Sequence, residues 1–317
     1  MQDVHGSTGT RDTAPRVGLA LGAGAARGLA HIGVLQQLSA IGLRPDMLAG
    51  CSIGAAVAVS HAAGRLDNLA VAMREISWMQ VARLVDLSLN GGLIDRGRLA
   101  AFLSDVLGDA ALEDLPVPVT VVTTDMDTGR EVWLRTGPAV EAVAASIAMP
   151  GLLPPVRRQG RWLLDGAMSN PLPVSAARSG GADILLAASL GTLPWERATP
   201  PPTTARTEAA TDRQGWLAAL RSRTGQARIE PLRTWRQPGE TDETSPGVLD
   251  VVFRSVVATQ DLLERLRLAV DPCDVLINPR VRDVGLFQFD RADDLIAAGQ
   301  AAVRDVSPAI RALTGRG

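Results

Sequence analysis

The chain alternates short apolar runs with longer amphipathic ones. Val17-Gly18-Leu19-Ala20-Leu21 and Met47-Leu48-Ala49 are runs of strand length, each followed at once by a glycine-rich turn. Helical character begins beyond each turn. After the first it passes through Ile32, Val34, Leu35 and Leu38, and after the second through Ala55 to Val59. Further strands are predicted at 116–124, 131–134, 182–188 and 274–278, with two short apolar segments at 152–157 and 161–164, the second running into Asp165 at a strand end. Further helices are predicted at 67–90, 95–107, around Ala144–Ser146, at 248–268 and at 290–310. Strands alternating with helices from the outset predict an α/β fold. Its mainly parallel sheet would be covered by helices on both faces.

Two stretches break this rhythm. Residues 1–15 are polar and read as a disordered tail. Residues 194–246 are rich in Pro, Thr, Arg and Glu and read as an insertion, longer than structureless loops usually are. No internal repeat or other boundary is visible, so residues 16–317 are expected to form one domain carrying that insertion.

Composition narrows the function. The chain has 317 residues, 46% of them hydrophobic, but only 3% aromatic, so its core must be aliphatic. A net charge of −2 argues against nucleic acid as a partner. Cys51 and Cys273 are too few for a disulfide framework or a zinc site, and no cluster of ligand spacing implies a metal. No secretory signal is evident, and no apolar run reaches the roughly 18 residues of a membrane span. The expected location is the cytoplasm. Oligomeric state is not legible.

The candidate chemistry sits in the turns. Gly50-Cys51-Ser52-Ile53-Gly54 has the G-x-S-x-G spacing of a nucleophile elbow, in which a serine is held on a sharp strand-to-helix turn. By itself it reads equally as a tight turn with a capping serine. Gly22-Ala23-Gly24-Ala25-Ala26-Arg27-Gly28 opens a helix after a strand. A dinucleotide fingerprint would need glycine or alanine where Arg27 stands, so no cofactor is expected. The small residues at 23–25 suit an oxyanion hole better, with Arg27 bracing the loop or assisting the anion. Asp165-Gly166-Ala167 places an aspartate at a strand end, either as a turn or as a catalytic acid. Asp125 and Asp127 fit a hairpin turn. The only histidine after Ser52 is His61, with no acid between them, so a Ser–acid–His order cannot be written. If Ser52 is a nucleophile, its base is a carboxylate.

Together these motifs resemble the patatin-like phospholipase family, in particular its compact bacterial members. The likeness extends through Leu29-Ala30-His31-Ile32-Gly33-Val34-Leu35, Gly92-Leu93-Ile94-Asp95, Asn170-Pro171-Leu172-Pro173-Val174 and Gly285-Leu286-Phe287-Gln288-Phe289-Asp290. The resemblance implies a serine lipid acyl hydrolase with Ser52 as nucleophile and Asp165 as base. It also implies that the loop at Ala23, Gly24 and Ala25 forms the oxyanion hole, near Arg27 and Gly28. Gly50, Gly54 and Gly166 would allow the close backbone approaches. The chain departs from the family at Ala23-Gly24-Ala25, where three glycines are common. An alanine serves there only if its φ tolerates a Cβ. The alternative is a catalytically weak regulatory or scaffolding member of the same fold.

Within the insertion, Trp216 and Trp235 bracket several arginines. Residues 205–237 therefore read either as a flap that contacts lipid surfaces peripherally or as an ordinary mobile loop.

Overall fold

The computed structural model describes residues 14–75, 96–191, 248–286 and 288–315. Most of the expected tail, the stretch 76–95 with Gly92-Leu93-Ile94-Asp95, Phe287 and the insertion at 194–246, flap included, lie outside the described residues.

The strands are β1 (Val17–Leu21), β2 (Met47–Cys51), β3 (Val119–Asp125), β4 (Glu131–Leu134), β5 (Val156–Arg158), β6 (Arg161–Asp165), β7 (Ile184–Ala188) and β8 (Val275–Ile277). The helices are α1 (Ala30–Ala40), α2 (Ile53–Ala62), α3 (Leu66–Glu75), α4 (Arg96–Leu107), α5 (Ala139–Ser146), α6 (Val174–Arg178), α7 (Val248–Val270) and α8 (Ala292–Thr314). A 3-10 turn at Ala25–Leu29 precedes α1, and another at Gly166–Met168 follows β6. Among the described residues, all eight strands join one sheet. The pairs β1–β2, β1–β7, β2–β3 and β7–β8 are parallel, whereas β4, β5 and β6 pair antiparallel. The fold is the expected helix-flanked, mostly parallel α/β sheet.

Strand alternation sorts the core into two layers. Leu19, Leu21, Leu48, Val121 and Leu186 face a large aliphatic cluster with α1, α2, α5 and α8. Ala20, Ala49, Val122, Leu185 and Ala187 face the other way, toward α6 and Leu172. Three alanines among these five leave room for the short α6 to lie close to the sheet.

β3 is the hub of the site. Val121 and Val122 pair with both β2 and β4, so those two strands lie on opposite edges of β3. Thr123 and Thr124 pair with both β4 and β6, so β6 shares the β2 edge. β2 runs parallel to β3 and ends at Cys51, opposite Val122. β6 runs antiparallel and ends at Asp165, opposite Thr123. The C-terminal ends of β2 and β6 therefore meet head-on along one edge of β3.

The first loop and helix are anchored by a backbone-to-backbone crossing of α1 and α8. A Cβ on Gly33 would lie 1.9 Å from Ile296 O, and one on Gly299 would lie 1.9 Å from Ala30 O. No rotamer change relieves a collision with backbone. Gly299→Ala is therefore expected to lower unfolding free energy by about 1–3 kcal/mol or more, as overpacking does. Urea unfolding of the variant beside wild type checks it, and an unchanged midpoint would remove the crossing as an anchor.

Candidate active site

The elbow at the end of β2 is closed by two glycines that admit no side chain. A Cβ on Gly50 would sit 2.5 Å from both Ala55 Cα and Gly54 O, and one on Gly54 would sit 2.3 Å from Leu21 O. Between them Ser52 adopts φ 55° and ψ −125°, a region that costs a non-glycine residue roughly 1–3 kcal/mol. Something must hold it there. The Ser52 amide donates to Ser146 Oγ at 2.8 Å, and the Ser146 hydroxyl donates to Val122 O at 2.6 Å. Ser146, at the end of α5, thus ties the elbow to β3. Ser52 also caps α2, whose N-terminal amides and dipole favour negative charge at its side chain.

The opposing strand end supplies the carboxylate. Ser52 Oγ donates to Asp165 Oδ2 at 2.9 Å, while the Ala167 amide donates to Oδ1, also at 2.9 Å. Both oxygens are engaged, which fixes the plane of the carboxylate. Gly166 is required because a Cβ there would meet Val122 O at 2.2 Å. Thr124 Oγ1 donates to the Asp165 carbonyl at 2.9 Å, and the Asp165 amide donates to Ala148 O at 2.9 Å. Asp165 is 1% exposed. Burial raises its pKa to about 6, and the Ala167 amide and Ser52 hydroxyl oppose that rise only in part.

The glycine-rich loop forms the facing wall. The amides of Gly22, Ala23, Ala26 and Arg27 donate to Ala188 O, Pro171 O, Leu286 O and Gly24 O respectively. Among the described residues, those of Gly24 and Ala25 donate to no acceptor. Ala25 has φ 50°, so alanine occupies a left-handed position where glycine would be unstrained. A Cβ on Gly24 would lie 2.6 Å from Leu190 Cδ1, in the same pocket wall. Arg27 Nε donates to Val284 O at 2.7 Å, and burial lowers its pKa against the opposing pull of Asp261 and Asp283. Ala23, Gly24, Ala25 and Arg27 line one pocket with Ser52 and Asp165. Gly28 packs instead against Ile53, where a Cβ would come within 2.0 Å of Cγ2.

The two described histidines, His31 and His61, stand apart from the serine. His31 is fully buried on α1, with Nε2 2.8 Å from Gly22 O. A carbonyl accepts only, so Nε2 carries the proton, and burial holds the ring neutral with a pKa of about 4. His61 lies on α2, its pKa lowered by burial and by Arg44, and it makes no hydrogen bond to Ser52. Burial and the Asp165 charge push the Cys51 thiol well above its usual range, which leaves it a poor nucleophile. Asp125 accepts the amides of Asp127 and Thr128 in the β3–β4 turn. Among the described residues, no three His, Cys, Asp or Glu side chains could hold a metal, and no helix is long and apolar enough to cross a membrane.

Two site residues escaped the sequence reading. Ser146 ends a helix of alanine and valine with one glutamate, Glu141, and being the lone hydroxyl of α5 was its only signal. Glu264, 5% exposed on α7, accepts from Ser189 Oγ and lines the same pocket. Burial raises its pKa to about 7. A carboxylate at an inward position of an amphipathic helix was its only signal.

The patatin-like phospholipase family profile matches residues 19–178, which span the loop, the elbow and Asp165. The chain belongs to the patatin-like phospholipase family. It is 34% identical to an uncharacterised NTE family protein of Mycobacterium bovis, over 91% of this chain and 90% of that protein. It is 28% identical to a lysophospholipase of the NTE type from Pyricularia oryzae, over 89% of this chain and 18% of that larger protein. Among solved structures, VipD from Legionella pneumophila aligns with a TM-score of 0.49 and 13% identity, over 95% of this chain and 67% of that one.

Two measurements bear on this geometry. Ala25→Gly relieves the left-handed alanine and is expected to stabilise the fold by about 0.5–1 kcal/mol in denaturant unfolding. No gain would place the strain elsewhere. Asp165 binds its proton more tightly folded than unfolded, so it lowers stability as pH rises from about 4 to about 6. The full penalty, on the order of 3 kcal/mol, is present above that window. Asp165→Asn should therefore be more stable than wild type at pH 8 and should lose that advantage near pH 4. A variant less stable than wild type at pH 8 would contradict the buried-charge account.

Proposed function

We propose that the protein is a serine lipid acyl hydrolase that cleaves carboxylic esters through a Ser52–Asp165 dyad and an acyl-serine. The observation carrying this reading is the 2.9 Å contact from Ser52 Oγ to Asp165 Oδ2, in a pocket that also presents the unengaged amides of Gly24 and Ala25. Membership of a phospholipase family and a lysophospholipase relative support a lipid ester as substrate.

In this reading Ser52 Oγ attacks the ester carbonyl carbon as its proton passes to Asp165 Oδ2. The carbonyl oxygen becomes an oxyanion facing the amides of Gly24 and Ala25, with the α2 dipole adding to the field. Collapse expels the alcohol, which takes the proton from Asp165. Asp165 then removes a proton from water as it attacks the acyl-serine, and the fatty acid leaves with Ser52 restored. A free aspartate, with a pKa of about 3.9, would be a feeble base for these transfers. Desolvation moves Asp165 to about 6 and makes it a better one. Arg27 is held by Val284 O and braces the loop from the pocket side.

Turnover of a short p-nitrophenyl ester and of a phospholipid, with Ser52→Ala as blank, tests the assignment. The variant should lose on the order of 10⁴-fold or more in kcat while staying folded. Wild-type activity should fall about tenfold per pH unit below an apparent pKa near 6. Glu264, near 7, makes no hydrogen bond to either dyad member, so Glu264→Gln should retain that limb. An intact protein that neither turns over esters nor reacts with a fluorophosphonate would favour the regulatory or scaffolding alternative.

A further inference from the structure

Helix α7 has two faces of different character. Val257, Gln260, Asp261 and Glu264 line the pocket that holds Ser52 and Asp165. The opposite face is exposed, uncharged and mostly apolar: Val251 is 46% exposed, Leu262 51%, Leu266 56% and Val270 86%, with Ser255 and Thr259 exposed among them, their hydroxyls turned back onto the helix carbonyls of Val251 and Ser255. Ala258 and Ala269 are exposed beside them. At about 100° per residue, the six apolar positions fall within an arc of about 120° that includes no charged side chain. From Val251 to Val270 the stripe is about 28 Å long at 1.5 Å per residue. The remaining large exposed apolar residues, such as Val71, Met126 and Leu313, are scattered over other elements. Isolated leucines at a surface are ordinary, but a continuous uncharged stripe marks a face that meets something apolar.

We propose that the outward face of α7 is the surface by which the protein docks on a lipid aggregate, with its axis lying in the interface. This rests on the ester-hydrolase reading above and adds to it how a substrate held in a membrane reaches Ser52. Three observations favour lipid as the occupant. The stripe and the pocket wall belong to one helix, about 10 Å across, so a lipid drawn from beneath the stripe reaches the pocket by passing the helix edge. Arg265 lies at the border of the stripe, where a long cationic side chain can reach lipid head groups beside an apolar face. The helix is also held from below. Arg267 bonds Glu131 at 3.1 Å and the Ser169 carbonyl at 2.9 Å, tying α7 to β4 and to the turn after Asp165 while leaving the stripe outward.

The test is the variant Leu262→Asp/Leu266→Asp, made in the full chain, with Leu262→Gln/Leu266→Gln as an uncharged companion. Sedimentation with vesicles of phosphatidylcholine and phosphatidylglycerol should show binding weakened about tenfold or more by the Asp pair and less by the Gln pair. Hydrolysis of vesicle-borne phospholipid should fall in parallel. Turnover of a short soluble ester should stay within about twofold of wild type, and the mass in solution should not change. Unchanged vesicle binding overturns the proposal. So does a dimeric wild type that the Asp pair dissociates, since a second copy would then be the occupant. Loss of soluble-ester turnover together with a lower melting temperature also overturns it, because the stripe would then be packed against the chain itself. If wild type hydrolyses no ester, the hydrolase reading fails, and vesicle sedimentation still decides the docking surface.

Discussion

The site depends on two strands being made to end against each other on one edge of β3. Parallel β2 and antiparallel β6 occupy successive lengths of that edge and stop at adjacent positions, opposite Val122 and Thr123. The register of backbone hydrogen bonds therefore brings residue 52 to residue 165, 113 positions apart in sequence. The glycines nearby follow from the same crowding. Gly166 must pass Val122 O, and Gly54 must pass Leu21 O, at distances no Cβ tolerates.

The same crowding buries Asp165, and the chemistry proposed for the Ser52–Asp165 pair rests on that burial. A carboxylate exposed at a strand end would be fully ionised at neutral pH and a weak base. Buried to 1% exposure, Asp165 keeps only two hydrogen-bond donors and is pushed toward the pH at which proton transfer is efficient. In the proposed mechanism stability and activity are therefore opposed at this residue: the burial that would make Asp165 a usable base also makes its charge unfavourable in the folded state. Ser52 carries a second such burden in its backbone conformation, which Ser146 helps to hold.

The opposite wall is positioned by a chain of contacts reaching far from the pocket. α8 crosses α1 at Gly33 and Gly299, and α1 carries His31, which donates to Gly22 O at the start of the loop. The amides of Gly22, Ala23, Ala26 and Arg27 are satisfied by Ala188, Pro171, Leu286 and Gly24, and those of Gly24 and Ala25, residues of the pocket wall, have no acceptor among the described residues. Ala25 shows that a left-handed position can be filled by alanine when its neighbours fix the turn from both sides.

Local pattern determined much of this protein. The apolar runs and their glycine-rich turns give the alternating strands and helices. The spacing of Gly50, Ser52 and Gly54 marks the elbow, and with no histidine after His61 a carboxylate is the base expected if Ser52 is a nucleophile. These are short-range signals, and short-range sterics enforce them. Tertiary structure alone decided the rest. That β6 shares an edge with β2 follows from pairing across distant segments, which no local run encodes. Which loop amides stay free depends on acceptors at Pro171, Ala188 and Leu286. Ser146 and Glu264 became site residues only when α5 and α7 were laid against the sheet, because a lone hydroxyl or carboxylate on a helix takes its meaning from what it faces. The pKa of Asp165 belongs to the same class: the residue is written in the chain, but its basicity comes from the water the fold removes.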